Sequence, residues 1–200
     1  IFSREFFPGH PLGLSIAGTP ETVKTFDSKT TRSYHERVFN ASNLVIAAAG
    51  NVDHAAVVEM ANRVWSSSSS LPSATTGRLK PGLETAPPNY AAPIIVEQNE
   101  NLEQAHLIVA VPFVAAPDKK RYAADLLANI VGGGTSSRLW QKVREERGLA
   151  YSVGASTVMY QDCGLFSVFA GTSPEQVQEV VDITIAEMRE VAQNGVTPDE

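Results

Sequence analysis

Two hydrophobic periods alternate along this chain, and the places where one gives way to the other mark its elements. Leu44 to Ala49 is a short apolar run that Gly50 ends, the pattern of a buried strand. Asp53 can then cap a helix whose apolar positions Val57, Met60, Ala61 and Val64 follow the 3.6-residue period. Ile94-Ile95-Val96 and His106 to Val111 read as two strands connected through Asn99-Glu100-Asn101. Asp118 can cap a helix with Tyr122, Leu126, Leu127 and Ile130 on one face, which Gly132-Gly133-Gly134 interrupts. A second helix, with Leu139 and Val143 as its apolar pair, ends at Gly148 as a C-cap. Two strands follow near 150–159 and 164–170, joined by a polar turn around Gln161-Asp162. Ser173-Pro174-Glu175-Gln176 has the form of a capping box with Pro at the first helical position. It opens a long helix with Val177, Val181, Ile185, Met188 and Val191 on one face, and Gly195 stops it.

The remaining stretches are punctuation. Residues 1–29 are loop-rich, with Gly18-Thr19-Pro20-Glu21 feeding a short helix, and a further helix covers 30–38 before a turn at Asn40 to Asn43. Ser66 to Ser70, then Pro72 through Pro88, is a linker rich in Ser, Thr, Pro and Gly. Strand, Gly50, polar cap and amphipathic helix on one side of it are echoed by strand, Gly171, polar cap and amphipathic helix on the other. The expected fold class is therefore α+β: repeated two-layer domains, each a largely antiparallel sheet with helices packed on one face. The expected division is 1–70, a linker at 71–92, and 93–200.

Composition narrows what such units can do. A formal net charge of −6 with no cluster of Lys or Arg argues against nucleic acid as a partner. The one cysteine, Cys163, allows no intrachain disulfide. No apolar run approaches the roughly 18 residues of a membrane span. The opening Ile1-Phe2-Ser3-Arg4 lacks a Met, and the closing Thr197-Pro198-Asp199-Glu200 reads as the start of another helix, so both ends are expected to continue into further chain.

Candidate chemistry is sparse. Gly132 to Ser137 lacks the Gly-Lys-Ser/Thr ending of a phosphate loop and lies between helices, not after a strand. Its exposed backbone could still contact an extended peptide. None of His10, His35, His54 and His106 has a second His at i+4, so no zinc site can be assembled from them. Cys163, between Asp162 and Gly164, has no base nearby in sequence and is expected to be a partly buried structural thiol. Arg144 and Tyr151 stand seven residues apart across a sharp turn. Both could donate hydrogen bonds to a peptide carbonyl from one cleft. Alternatively, Arg144 favours the helix C-terminus and Tyr151 packs.

The run Ser136-Ser137-Arg138-Leu139-Trp140-Gln141-Lys142-Val143-Arg144-Glu145-Glu146-Arg147-Gly148-Leu149-Ala150-Tyr151-Ser152-Val153 resembles the second-domain signature of the inverted-motif zinc metallopeptidases: pitrilysin, insulysin and the mitochondrial processing peptidase with its bacterial relatives. His10-Pro11-Leu12-Gly13, Gly18-Thr19, Ala49-Gly50-Asn51-Val52-Asp53, Gly132-Gly133-Gly134 and Ala170-Gly171-Thr172-Ser173-Pro174-Glu175 resemble further segments of that family in the expected order. The resemblance implies that 1–70 closes a first peptidase-like domain and 93–200 forms much of a second. It implies a zinc-dependent metalloendopeptidase subunit whose zinc site, His-x-x-Glu-His plus a distal Glu, lies upstream of Ile1. Glu5 stands too near the His-Pro-Leu-Gly segment to be that distal ligand, so no metal ligand and no catalytic residue falls in these 200 residues. The substrate-binding side falls here instead, with Arg144 and Tyr151 reaching a peptide or unfolded polypeptide and Gly132, Gly133 and Gly134 handling it. Partnership as a homodimer or a heterodimer with a related subunit is implied, with a bacterial cytoplasm or periplasm ahead of a mitochondrial matrix. The other outcome compatible with the resemblance is a non-catalytic core subunit of the same fold, acting as scaffold or peptide-binding protein.

Overall fold

The structure, a computed structural model, describes residues 1–39, 43–66, 86–99 and 101–197. The chain separates into two compact units, Ser15–Thr85 and Ile1–Leu14 with Ala86–Glu200. The expected linker lies mostly outside the described residues.

In the larger unit, β1 (Ala105–Phe113), β2 (Ala150–Met159) and β3 (Gly164–Thr172) form an antiparallel sheet in the order β1-β3-β2. This mixture of helices with an antiparallel sheet is the α+β class expected. Period-2 alternation decides which side chains meet the core. Phe166, Val168 and Ala170 of β3 point to the same face as Val153 and Ala155 of β2, and all five are buried. Two helices cover that face: α5 (Arg121–Gly132) and α6 (Val177–Asn194). Between α5 and β2 the chain makes a π turn, Trp140–Glu145. Leu139, Val143 and Val180 are fully buried in this core, and each such aliphatic side chain contributes about 1.5–3 kcal/mol relative to exposure.

Helices do not occupy one face only. On the other side of β3, Leu165 packs with Phe6 and Phe7, at the end of α1 (Phe2–Phe6), and Tyr90 joins them and donates from Oη to Gly164 O. Ring pairs among Phe2, Phe6, Phe7 and Tyr90, with centroids 4.9–5.8 Å apart, tie this patch together.

Four sequence expectations fail here. Ile94-Ile95-Val96 forms no strand and Ile94 is 97% exposed, because no neighbouring strand among the described residues offers it a ladder. Helix α5 turns Ala124, Ala128, Val131 and Gly132 to the sheet and leaves Tyr122 and Leu126 exposed. Its close approach to β2 selects small residues over large ones: a Cβ on Gly132 would stand 2.3 Å from Ala155 N. Helix α6 is rotated by one position, so that Val180, Thr184 and Glu187 are its buried residues. Asp118 accepts from Lys120 N in the turn before α5 and is not the cap residue of the helix.

The Ser15–Thr85 unit contains α2 (Pro20–Lys24), α3 (Ser28–Val38) and α4 (His54–Ser66). Their starts follow the expected chemistry. Thr19 and Thr22 form a reciprocal capping box, and the carboxylates of Asp27 and Asp53 accept from Thr30 N and Ala56 N. The expected strand at Leu44 to Ala49 is absent and its side chains are open, Val45 being 90% exposed. An apolar run becomes a strand only where another strand and a covering layer receive it, and the described part of this unit is helical. The strand–Gly–helix echo is thus incomplete on its first side.

Candidate functional site

The site is built where α5, the π turn and β2 meet. Gly133 and Gly134 follow α5; a Cβ on Gly133 would collide with Asn129, whereas Gly134 faces open space. Gln141 Nε2 donates to Thr135 O at 2.6 Å and ties this loop to the π turn. Thr135, Ser136, Trp140, Gln141 and Glu145 line a shallow depression beside it. The π character shows in the bond from Glu146 N to Gln141 O, five residues back, at 2.9 Å. The turn ends at Gly148, whose φ of +62° is the left-handed conformation glycine adopts without strain.

Arg144 is held on three sides. Its Cζ lies 4.2 Å from the ring centroid of Trp140 and 4.7 Å from that of Tyr151, so the guanidinium sits against both π faces. Its Nη1 donates to Tyr151 O at 2.8 Å. A Glu145 carboxylate oxygen accepts from Trp140 Nε1 at 2.9 Å and stands 4.0 Å from Arg144 Nε. The β2–β3 register explains why Tyr151 is available. Ala150 pairs with Thr172 and Ser152 with Gly171, so Tyr151 is the extra residue of a bulge. A bulge takes a residue out of the ladder and re-aims its side chain. Tyr151 is accordingly 77% exposed while its carbonyl is taken by Arg144.

The structure therefore brings Arg144 and Tyr151 together, with Gly133 and Gly134 on the loop that Gln141 fastens to the same turn. Gly132 is buried beneath this loop, where its lack of a side chain lets α5 meet β2. Sequence reasoning missed Trp140 and the π turn. The i, i+4 spacing of Trp140 and Arg144 is the signal that could have revealed the first. Cys163 is 4% exposed, and burial, with the Asp162 carboxylate second, pushes its thiol up to about 11, as suits a structural thiol. Among the described residues no three His, Cys, Asp or Glu side chains form a group that could hold a metal ion. Among the described residues, too, no helix is long and apolar enough to cross a membrane.

An α+β unit with an arginine caged at a bulged strand is the class of structure these features define. The sequence profile described as the peptidase M16 inactive domain matches residues 25–200, and the chain belongs to the peptidase M16 family. An uncharacterized zinc protease of Streptomyces coelicolor is 39% identical over 202 residues, which cover all of this chain and 43% of that protein. An uncharacterized zinc protease of Bacillus subtilis is 29% identical and is matched over 46% of its length by the whole of this chain. The chain thus spans less than half the length of these relatives. A crystal structure of a peptidase M16 inactive domain from Pseudomonas fluorescens aligns with a TM-score of 0.78 at 22% identity, covering 99% of this chain and 46% of the other. A chain of complex III2 from Candida albicans aligns with a TM-score of 0.78 at 18% identity, covering 98% and 47%.

Proposed function

We propose that this chain is the substrate-binding half of a zinc-dependent metalloendopeptidase subunit, with the zinc held by residues upstream of Ile1 in a longer protein. The observation that carries this reading is Arg144, fixed between Trp140 and Tyr151 at the exposed mouth of the β2 bulge. Zinc bound elsewhere in the protein would supply an activated water and a Lewis acid. The residues here bind and orient. One guanidinium N–H is committed to Tyr151 O, which sets the plane of the fork and leaves its other donors for a peptide carbonyl. The Tyr151 hydroxyl is a second donor on the same rim. Gly134, which faces open space, and the exposed Gly133 before it offer backbone on which an extended polypeptide can lie, and Gly132 supports that loop from beneath. Pairing with a second, related subunit, as a homodimer or heterodimer, would complete the substrate site, and a bacterial cytoplasm or periplasm is favoured over a mitochondrial matrix, a reading the bacterial relatives support.

The names of the relatives support zinc proteolysis. A second reading, a non-catalytic core subunit of the same fold, draws on the family's description as an inactive domain and on the likeness to a chain of complex III2. One experiment separates them: zinc content and fluorogenic-peptide cleavage in the full-length protein and in its Arg144→Ala variant. The peptidase reading expects one zinc per subunit and a loss of about a hundredfold in kcat/KM for the variant, the scale of removing one oriented donor. Unchanged cleavage in Arg144→Ala sinks the role given to Arg144; absence of both zinc and cleavage favours the core-subunit reading. The 200-residue chain alone is expected to cleave nothing and to bind no stoichiometric zinc.

A further inference from the structure

The π turn is fastened on its far side by a carboxylate that hydrophobicity does not explain. Glu187 of α6 is 5% exposed. Lys142 Nζ donates to its Oε1 at 2.5 Å, and Arg138 Nη1 stands 3.9 Å from its Oε2. Among the described residues that buried Oε2 has no hydrogen-bond partner. A buried carboxylate left partly unsatisfied beside a half-exposed cation is a poor stabiliser, since desolvation offsets much of the attraction; setting register is the better attested use of such pairs.

The register in question is visible in three i, i+4 pairs. Arg138 and Lys142 reach Glu187, Leu139 and Val143 enter the core, and Trp140 and Arg144 meet face to face beside Tyr151. Returning this turn to α geometry would re-phase one end against the other by one residue, roughly 100°. Lys142 and Arg144 could not then both keep their partners.

We propose that Glu187 is a positioning residue: it pins the π turn through Lys142 and Arg138 and so holds Arg144 between the rings of Trp140 and Tyr151. The consequence for substrate rests on the reading of Arg144 as a peptide contact; the pin itself does not.

The test uses the full-length protein with 5-fluorotryptophan at position 140. The fluorine resonance of Arg144→Ala defines an indole without the guanidinium over it. Glu187→Gln and Lys142→Ala are expected to move the resonance toward that position, and Lys142→Arg, which keeps the cation, to leave it at the parent value. Peptide KM is expected to rise on the order of tenfold in the first two variants, with kcat changing less. Lys142 is 46% exposed, so its variants keep the test alive should Glu187→Gln fail to fold. A resonance unmoved in Lys142→Ala, or moved equally in Lys142→Arg, overturns the pin. A moved resonance with unchanged KM supports the pin and removes the peptide role from Arg144.

Discussion

The two compact units spell their helices equally well and bury their side chains very differently. In the sheet-bearing unit, Leu139, Val143, Val168 and Val180 have no exposed surface. Among the described side chains of Ser15–Thr85 none is buried, and Phe26, Tyr34, Phe39 and Val45 are more than half exposed. Yet α2, α3 and α4 are the helices with side-chain caps at Thr19, Asp27 and Asp53, whereas α5 and α6 begin without one. Local signals place helix ends, and a second layer decides whether the faces between them are worth burying. The two requirements are met in different parts of this chain.

The largest expected effect follows directly. Leu139→Ala should lower the unfolding free energy of the 200-residue chain by about 2–5 kcal/mol, from lost transfer energy and the cavity left behind. Val45→Ala, on an open side chain, should change it by less than ~0.5 kcal/mol. Denaturant midpoints with an unchanged m-value measure both. Equal costs at the two positions would mean that Val45 is covered in solution and would break the contrast.

The next effect is electrostatic and has opposite signs in the two units. Burial holds the Cys163 thiol up from its ordinary 9.0 to about 11, and burial likewise raises Tyr90 beside it. A group whose folded pKa is raised favours the folded state while it stays protonated. Its contribution is intact below pH ~9 and disappears as the pH climbs to ~11, a loss of about 2–3 kcal/mol for the thiol. In the open unit, hydrogen bonds from Thr30, backbone first, hold Asp27 below the usual carboxylate range, and backbone and Thr19 contacts do the same for Glu21. Those shifts act in acid: their support for α3 and α2 is present above the usual carboxylate pKa and fades below it. Alkaline titration of the denaturation midpoint should therefore fall between pH 9 and 11 in the parent and flatten in Cys163→Ala. A fall of the same steepness in Cys163→Ala would assign it to other groups.

The same division explains what could be read from residues alone. The strands near 150–159 and 164–170 were legible because alternation and partner arrive together, the second running on to Thr172; Leu44 to Ala49 and Ile94 to Val96 carry equal apolarity with no ladder to join among the described residues. The face of α5 misled because Tyr122 and Leu126 are the larger apolar residues, while the approach of β2 to Gly132 admits only small ones. Glu187 was invisible, since a carboxylate at a core position contradicts the pattern used to find cores. The seven-residue spacing of Arg144 and Tyr151 across Gly148 left packing and binding both open, and only the family resemblance singled the pair out. The π turn and the bulge that join them were not legible, because each is a one-residue departure from a regular period.

The smallest expected effect tests whether capping and burial are separable. Asp53→Ala and Thr172→Val each remove one side-chain hydrogen bond to backbone, from Ala56 N and to Leu149 O respectively. Thr172 is buried, so its loss leaves the Leu149 carbonyl without that donor inside the closed unit and should cost about 1–2 kcal/mol in the main transition. Asp53 caps a helix whose described side chains are none of them buried. Its loss should weaken α4 alone, seen as faster amide exchange from Ala56 onward, with the main transition moved by less than ~0.5 kcal/mol. A main transition shifted as far by Asp53→Ala as by Thr172→Val would show that the two units unfold as one, and that burial in the sheet-bearing unit is already coupled to the helices of the other.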